Sequence, residues 1–239
     1  MDKDKENVIL EEWISYLQNN RIHFIQDVDF DSGLDRITIL FQNCSCSPGG
    51  IIESSIYFHS DCFEISVYYC EEASNWLKKA SPKAQAKVYR LLNYVNAEIW
   101  AACSDGVLYK NSLLYSPRFF ITEDGQFDIC TKTIVPYLFY EIAPLETKDF
   151  FTAAMPELLD YLSPPIFSLL FDEDFSLDLA IEMVDRVTEI IKTGISPEER
   201  VLMEMSSERR REIDEILRND EERLKGEKAV ILSMERPKS

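Results

Sequence analysis

The segment from Ser81 to Tyr140 constrains the fold most, because it pairs a strong helix start with a strong hairpin turn. Ser81 can accept a hydrogen bond from a free N–H of a first helical turn, and Pro82 at the next position loses nothing by lacking an N–H there. Val88, Leu91, Leu92, Val95 and Ile99 then recur at three- and four-residue steps, with Lys83, Gln85, Lys87 and Arg90 opposite. That spacing predicts an amphipathic helix with one stripe in a core. Asn93 and Asn96 lie near its end, and Asp105-Gly106 is expected to stop it as a pair tolerant of left-handed backbone. Further on, Phe119-Phe120-Ile121-Thr122 and Phe127-Asp128-Ile129-Cys130 flank Glu123-Asp124-Gly125-Gln126, which suits a two-residue type I′ turn at Asp124-Gly125. In that register Thr122 faces Phe127 and Phe120 faces Ile129, a set expected to share the buried side of a sheet. A fully buried Phe127 would cost about 3–5 kcal/mol on replacement by alanine.

The flanking sequence extends the pattern in both directions. Ile9, Leu10, Trp13, Ile14 and Leu17 have helical spacing, and Asn19-Asn20 ends that helix. A strand over residues 22–30 follows, its alternation interrupted near Ile25-Gln26-Asp27 as a bulge would do. Ile37, Ile39 and Phe41 alternate with Thr38 and Leu40, as in a strand partly covered on both faces, before the polar loop 43–50. Residues 52–59 and 62–70 form a second hairpin around Ser60-Asp61, with Phe63, Ile65, Val67 and Tyr69 on one face. After the Asp124-Gly125 turn, Thr147 can cap a helix carrying Phe150, Phe151, Leu158, Leu159 and Leu162, which Ser163-Pro164-Pro165 breaks or restarts. A further helix runs through Leu177, Ala180, Val184, Val187 and Ile191 to Gly194. Ser196-Pro197-Glu198-Glu199 then opens a last one with a capping box. The apolar stripe thins after residue 195, which divides the chain into a body, 1–195, and a charged helical extension and tail, 196–239. In that extension Leu202, Met205, Ile213, Ile216, Leu217 and Leu224 form a thin stripe expected to dock.

Charge limits the partners. The net charge of −18 in 239 residues opposes a phosphate backbone, so nucleic acid is excluded as a partner. Residues 196–239 hold 12 acidic and 10 basic side chains, which leaves −16 on the body. No apolar run reaches membrane-spanning length, and the charged start at residues 1–7 does not read as a secretory leader. A cytoplasmic setting and no membrane partner are expected, with the six cysteines as thiols rather than disulfides.

The stretch Val88-Tyr89-Arg90-Leu91-Leu92-Asn93-Tyr94-Val95-Asn96, followed by the hairpin Arg118-Phe119-Phe120-Ile121-Thr122-Glu123-Asp124-Gly125-Gln126-Phe127, resembles the YbjN-like domain family. That family is similar in fold to type III secretion chaperones. The local resemblance covers about residues 85–140, and the order of elements extends it to about residues 10–170. It implies a non-enzymatic, protein-binding module that holds a partner polypeptide, without a cofactor, and that assembles as a homodimer. This chain differs in its longer link, residues 101–117, and in its C-terminal extension.

No group of residues has the spacing of a catalytic site. His23 and His59 are the only histidines, and neither adjoins a nucleophile signature; His23, beside Phe24, reads as a structural strand residue. No phosphate-binding glycine loop occurs. The alternative function is a small metalloprotein binding zinc through Cys44, Cys46, His59 and Cys62, all of suitable ligand type, although a C-x-C pair is tighter than structural zinc sites use. Asp172-Glu173-Asp174 reads as a solvated loop joining two helices, though such carboxylates can also hold a cation. The fold expected is α+β, an antiparallel sheet of five or six strands with helices packed on one face and a helical C-terminal extension.

Overall fold

The computed structural model describes residues 3–107, 115, 118–123 and 125–194. The extension beyond 195, with its expected docked stripe, lies outside the described residues, as does Asp124. Residues 1–194 make one compact unit of the α+β class.

Helix α1, Lys3–Asn19, begins earlier than its apolar spacing indicates and buries Ile9, Leu10, Trp13 and Leu17. A four-stranded meander follows, β1 Phe24–Val28, β2 Asp35–Gln42, β3 Ile51–Phe58 and β4 Cys62–Tyr69. Then come α2, Glu71–Lys79, and α3, Pro82–Asp105. Strands β5, Arg118–Ile121, and β6, Ile129–Pro136, complete an antiparallel sheet in the order β1-β2-β3-β4-β6-β5. Both hairpins therefore share one sheet. The short α4, Tyr137–Tyr140, and α5, Pro144–Asp149, lead through a π-helical turn at Phe150–Ala154 into α6, Met155–Phe171, and then α7, Leu177–Thr193.

The sheet register decides which side chains meet the helices. Ile37 opposes Ile56, which opposes Ile65, which opposes Thr133, while Phe58 opposes Phe63 and Phe63 opposes Val135. These residues share one face, all of them buried, and with α1, α3 and α6 they form the core. Helix α7 packs on α3 and α6 rather than on the sheet. Ser81 caps α3 as its sequence predicts, its hydroxyl accepting from the Ala84 N–H at 3.3 Å, and Val88, Leu91, Leu92, Val95 and Ile99 are all buried.

Several local expectations change. The Asp-Gly hairpin is not closed by two residues: Thr122 N–H donates to the Asp128 carbonyl and the Asp128 N–H to Thr122 Oγ1, leaving 123–127 as the connection. Phe120 consequently opposes Cys130, and Ile121 opposes Ile129, one residue away from the expected pairing. Because side chains alternate, that slip turns Phe119 and Ile121 into the core and Phe120 out of it. Phe127 takes a left-handed φ of 60° and is only partly buried, with its ring against the core edge. Phe127→Ala is therefore expected to cost about 1–2 kcal/mol in denaturant melts, below the range for a fully buried ring. Phe127→Gly should cost no more than the alanine, since glycine takes that backbone freely.

The other changes have equally local causes. Helix α6 continues through Pro164-Pro165, because Leu158, Leu159, Leu162, Ile166 and Phe167 bury its length, against roughly 3 kcal/mol for each interior proline. Thr147 lies inside α5 rather than at its cap, its hydroxyl bonded to the Ala143 carbonyl and the Tyr115 hydroxyl, both at 2.7 Å. Gly106 is not left-handed (φ −84°); it is needed because a Cβ there would meet the Ala102 carbonyl at 2.6 Å and the Ile191 carbonyl at 2.7 Å. No bulge interrupts β1, which pairs regularly from Phe24 opposite Ile39 to Val28 opposite Asp35. Its alternation is weak because β1 is an outer strand, with Ile25 and Val28 both exposed.

The opposite end of the sheet has a different edge. The Asn96 side chain donates from Nδ2 to the Phe119 carbonyl and accepts the Phe119 N–H at Oδ1, both at 2.8 Å, so an amide from α3 stands where a further strand would pair.

Candidate functional site

The helices take one face of the sheet, so the alternate side chains form another surface. Arg36, Thr38 and Leu40 of β2 lie on it beside Glu53, Ser55 and Tyr57 of β3. Glu64, Ser66 and Tyr68 of β4 continue it to Cys130, Lys132 and Ile134 of β6 and Phe120 of β5. Part of this surface, from Ser55 and Tyr57 across to Lys132 and Phe120, lines a groove of about 510 Å³ together with Asp29, Asp31, Ser32 and Leu34 of the β1–β2 hairpin.

Tyr57, Tyr68 and Phe120 supply its aromatic lining, and Asp29, Asp31, Glu64 and Asp128 outnumber its one lysine, Lys132. Several of these groups are held in place by neighbouring side chains. Tyr68 and Ser55 share a hydrogen bond at 3.0 Å, and Lys132 Nζ meets Glu64 Oε1 at 2.8 Å across β4 and β6. Ser74 donates to Asp128 at 2.5 Å. Arg36 grips Asp27 through Nε and Nη2 at 2.8 and 2.7 Å, reaches Asp29 at 3.1 Å, and lies 5.9 Å from the Tyr57 ring centroid. Asp29 also accepts from the Ser32 N–H and hydroxyl, which fixes the hairpin tip.

The electrostatics follow from this crowding of carboxylates. Burial, then Asp128 and Glu71, push the Glu53 carboxyl above its ordinary range. Burial is the main cause that takes the Tyr68 hydroxyl up to about 12, with Glu53 and Asp128 adding to it. The guanidinium of Arg36 draws the Asp27 carboxyl down, and the Ser32 hydrogen bonds do the same for Asp29. Because the Glu53 pKa is raised on folding, its ionisation opposes the folded state. The stability linked to its protonated form is complete below the unfolded carboxyl pKa and is lost as pH rises through the folded value. Glu53→Gln is therefore expected to be more stable than the parent near neutral pH, with the difference shrinking toward pH 3. Paired urea melts across that range measure it, and an equal difference at both ends would refute the assignment.

The zinc ligands suggested by sequence are not assembled. Cys44 and Cys46 precede β3 while His59 and Cys62 follow it, so the eight residues of that strand, roughly 26 Å at the usual rise, separate the pairs. No group of three or more metal-type side chains occurs among the described residues. The Cys44–Gly50 loop is instead fastened to α6, where Asp160 accepts from the Cys46 N–H at 3.0 Å and the Ser47 hydroxyl at 2.8 Å. All six cysteines stand as thiols. His23 precedes β1 and is exposed, rather than lying within a strand. Asp172-Glu173-Asp174 does join α6 to α7, and Lys87 holds that loop by donating to the Glu173 and Phe175 carbonyls at 2.7 Å.

The signal for the groove residues is present in the sequence only as an alternation. Glu64, Ser66 and Tyr68 alternate with Phe63, Ile65, Val67 and Tyr69, which share one face in the sequence pattern, and Glu53, Ser55 and Tyr57 alternate likewise with Ile52, Ser54 and Ile56. No protein-family model matches the chain, and no curated protein or solved structure matches it either. No helix among the described residues is long and apolar enough to cross a membrane.

Proposed function

We propose that the chain is a non-enzymatic binding module that holds an extended, basic polypeptide segment along the groove of the open sheet face, in a cytoplasmic setting. The observation that carries this is the groove itself, with an aromatic lining and an excess of fixed carboxylates. Aromatic side chains supply contact area at little entropic cost, and their faces attract lysine and arginine. The acidic rim adds steering for a cationic partner, in keeping with the net charge of −18. The resemblance to YbjN-like domains, and through them to secretion chaperones, points to the same class of activity.

Short fluorescent peptides test it by anisotropy. A peptide alternating arginine or lysine with apolar residues should bind, and its glutamate counterpart should not. Glu64→Lys, which reverses charge at the centre of the groove, should weaken binding several-fold, and added salt should weaken it further. Binding that ignores Glu64→Lys, or no binding by either peptide, rejects the proposal.

The same reading includes a homodimer, for which β1, an outer strand of the sheet among the described residues, offers an edge. Sedimentation equilibrium of the 27.8 kDa chain decides that part, and a mass that stays at one chain over the concentration range removes it.

A further inference from the structure

Strand β1 lies at one edge of the sheet, and no strand among the described residues pairs with its outer side. Sheet edges are ordinarily blunted by lysine, proline or a bulge. This one carries none of them. Its five residues pair regularly with β2, and Ile25 and Val28 are both exposed.

The backbone of β1 is directed residue by residue. The Asp29 N–H donates to the Leu34 carbonyl at 2.9 Å, the next pair in the β1–β2 register. Antiparallel strands exchange hydrogen bonds at alternate residues, so Asp27 and Ile25 also turn their N–H and C=O groups toward β2. Phe24, Gln26 and Val28 therefore aim theirs outward, and these three positions are symmetric about Gln26. A second β1 laid antiparallel with Gln26 opposite Gln26 sets Phe24 against Val28 of the second copy, and Val28 against its Phe24. Every outward backbone group of the strand then has a partner, and the apolar Phe24–Val28 pairs fall on the face of Ile37 and Ile39. On the open face Ile25 meets Asp27, whose carboxylate Arg36 already grips. A slide of one residue toward the hairpin would instead set Asp27 against Asp27, which repels.

The flanking residues suit the same arrangement by charge. Exposed Arg21 and half-buried Ile22 lead into β1, whereas Phe30, 98 % exposed, and exposed Asp31 follow it. Antiparallel pairing brings the entry of one strand beside the exit of the other, so Arg21 comes beside Asp31 and Ile22 beside Phe30 on both sides of the axis.

We infer that two copies of the chain join through β1 in this register, about a two-fold axis at Gln26 perpendicular to the sheet, and that their open faces thereby become one. The inference rests on the homodimer of the proposed function and supplies its interface. Such an axis keeps both open faces on the same side, so the two grooves look the same way and one polypeptide can engage both.

Sedimentation equilibrium of the full-length chain and anisotropy of the peptide alternating arginine with apolar residues test it together. Gln26→Pro removes an N–H that β2 does not use, so it should leave the urea melt and binding of the single peptide nearly unchanged while weakening the dimer about tenfold or more. Should the proline disrupt the strand, Gln26→Lys replaces it, setting two ammonium groups face to face at the axis. Arg21→Glu and Asp31→Arg should each weaken the dimer several-fold, and the two together should restore it. A peptide carrying the basic segment twice on a long flexible linker should bind the parent about tenfold tighter than the single peptide, an advantage that Gln26→Pro abolishes. A parent dimer that ignores both Gln26 variants overturns the inference and leaves a homodimer with another interface, whereas a parent that stays monomeric removes the homodimer as well. Loss of single-peptide binding in a folded Gln26→Pro chain of unchanged mass assigns β1 to the peptide and overturns the inference too.

Discussion

Phe63→Ala is expected to destabilise the protein by about 3–5 kcal/mol, the range for removal of a fully buried aromatic ring. Phe63 has no exposed surface and sits where β4 meets α1 and α4. Its ring contacts Trp13 and Tyr140 edge-on, at centroid distances of 5.8 and 5.4 Å, and Phe58 and Tyr137 in tilted arrangements at 6.1 and 6.2 Å. Four aromatic neighbours cannot all close on the cavity that alanine leaves, because each is itself fixed by the strand or helix bearing it. Tyr137, for instance, is held by its hydroxyl on the His59 carbonyl at 2.5 Å. Phe63→Leu, which keeps much of the volume, should cost markedly less. Urea denaturation of both variants measures the difference, and a loss under about 1 kcal/mol for the alanine would mean that the ring is not in the core.

Gly106→Ala is expected to cost about 2–3 kcal/mol, toward the upper end of what a single added methyl does in a packed interior. The methyl would lie between two backbone oxygens, those of Ala102 and Ile191, and neither can rotate away as a side chain would. Relief requires α3 and α7 to part at their C-terminal ends. That would also strain the Val107 N–H, which is shared between the Ile191 and Lys192 carbonyls at 3.2 Å each. Gly33→Ala is the matching control: it has open space around it but a φ of 70°, so only the left-handed backbone cost of about 1–2 kcal/mol applies. If the two alanines cost the same, the helix ends are not in contact.

The order of elements, the meander and the buried stripes of α3 and β4 are legible in the sequence because each is a periodic pattern spread over many residues. The details that fail depend on single contacts. Phe127 reads as buried because it is apolar and follows a turn. Its left-handed backbone lengthens that turn and shifts β5 by one residue, which no local rule anticipates. Pro164-Pro165 reads as a break because local propensity has no term for the burial of Leu162, Ile166 and Phe167 around it. The groove is harder still, since Tyr57, Glu64 and Lys132 come together only once three strands have paired.

The two margins of the sheet are chemically unlike, and that limits how copies of the chain can associate through them. Growth into a fibre needs head-to-tail pairing, in which the β1 margin of one copy meets the β5 margin of the next without end. The Asn96 amide already occupies the backbone of Phe119 in the middle of four-residue β5, so that second partner is refused. Two β1 margins can still meet about a two-fold axis, and such a pair leaves no β1 margin over. A strand arriving at β5 would first have to displace the Asn96 amide from the Phe119 backbone, a cost that the β1 margin of the described sheet does not impose.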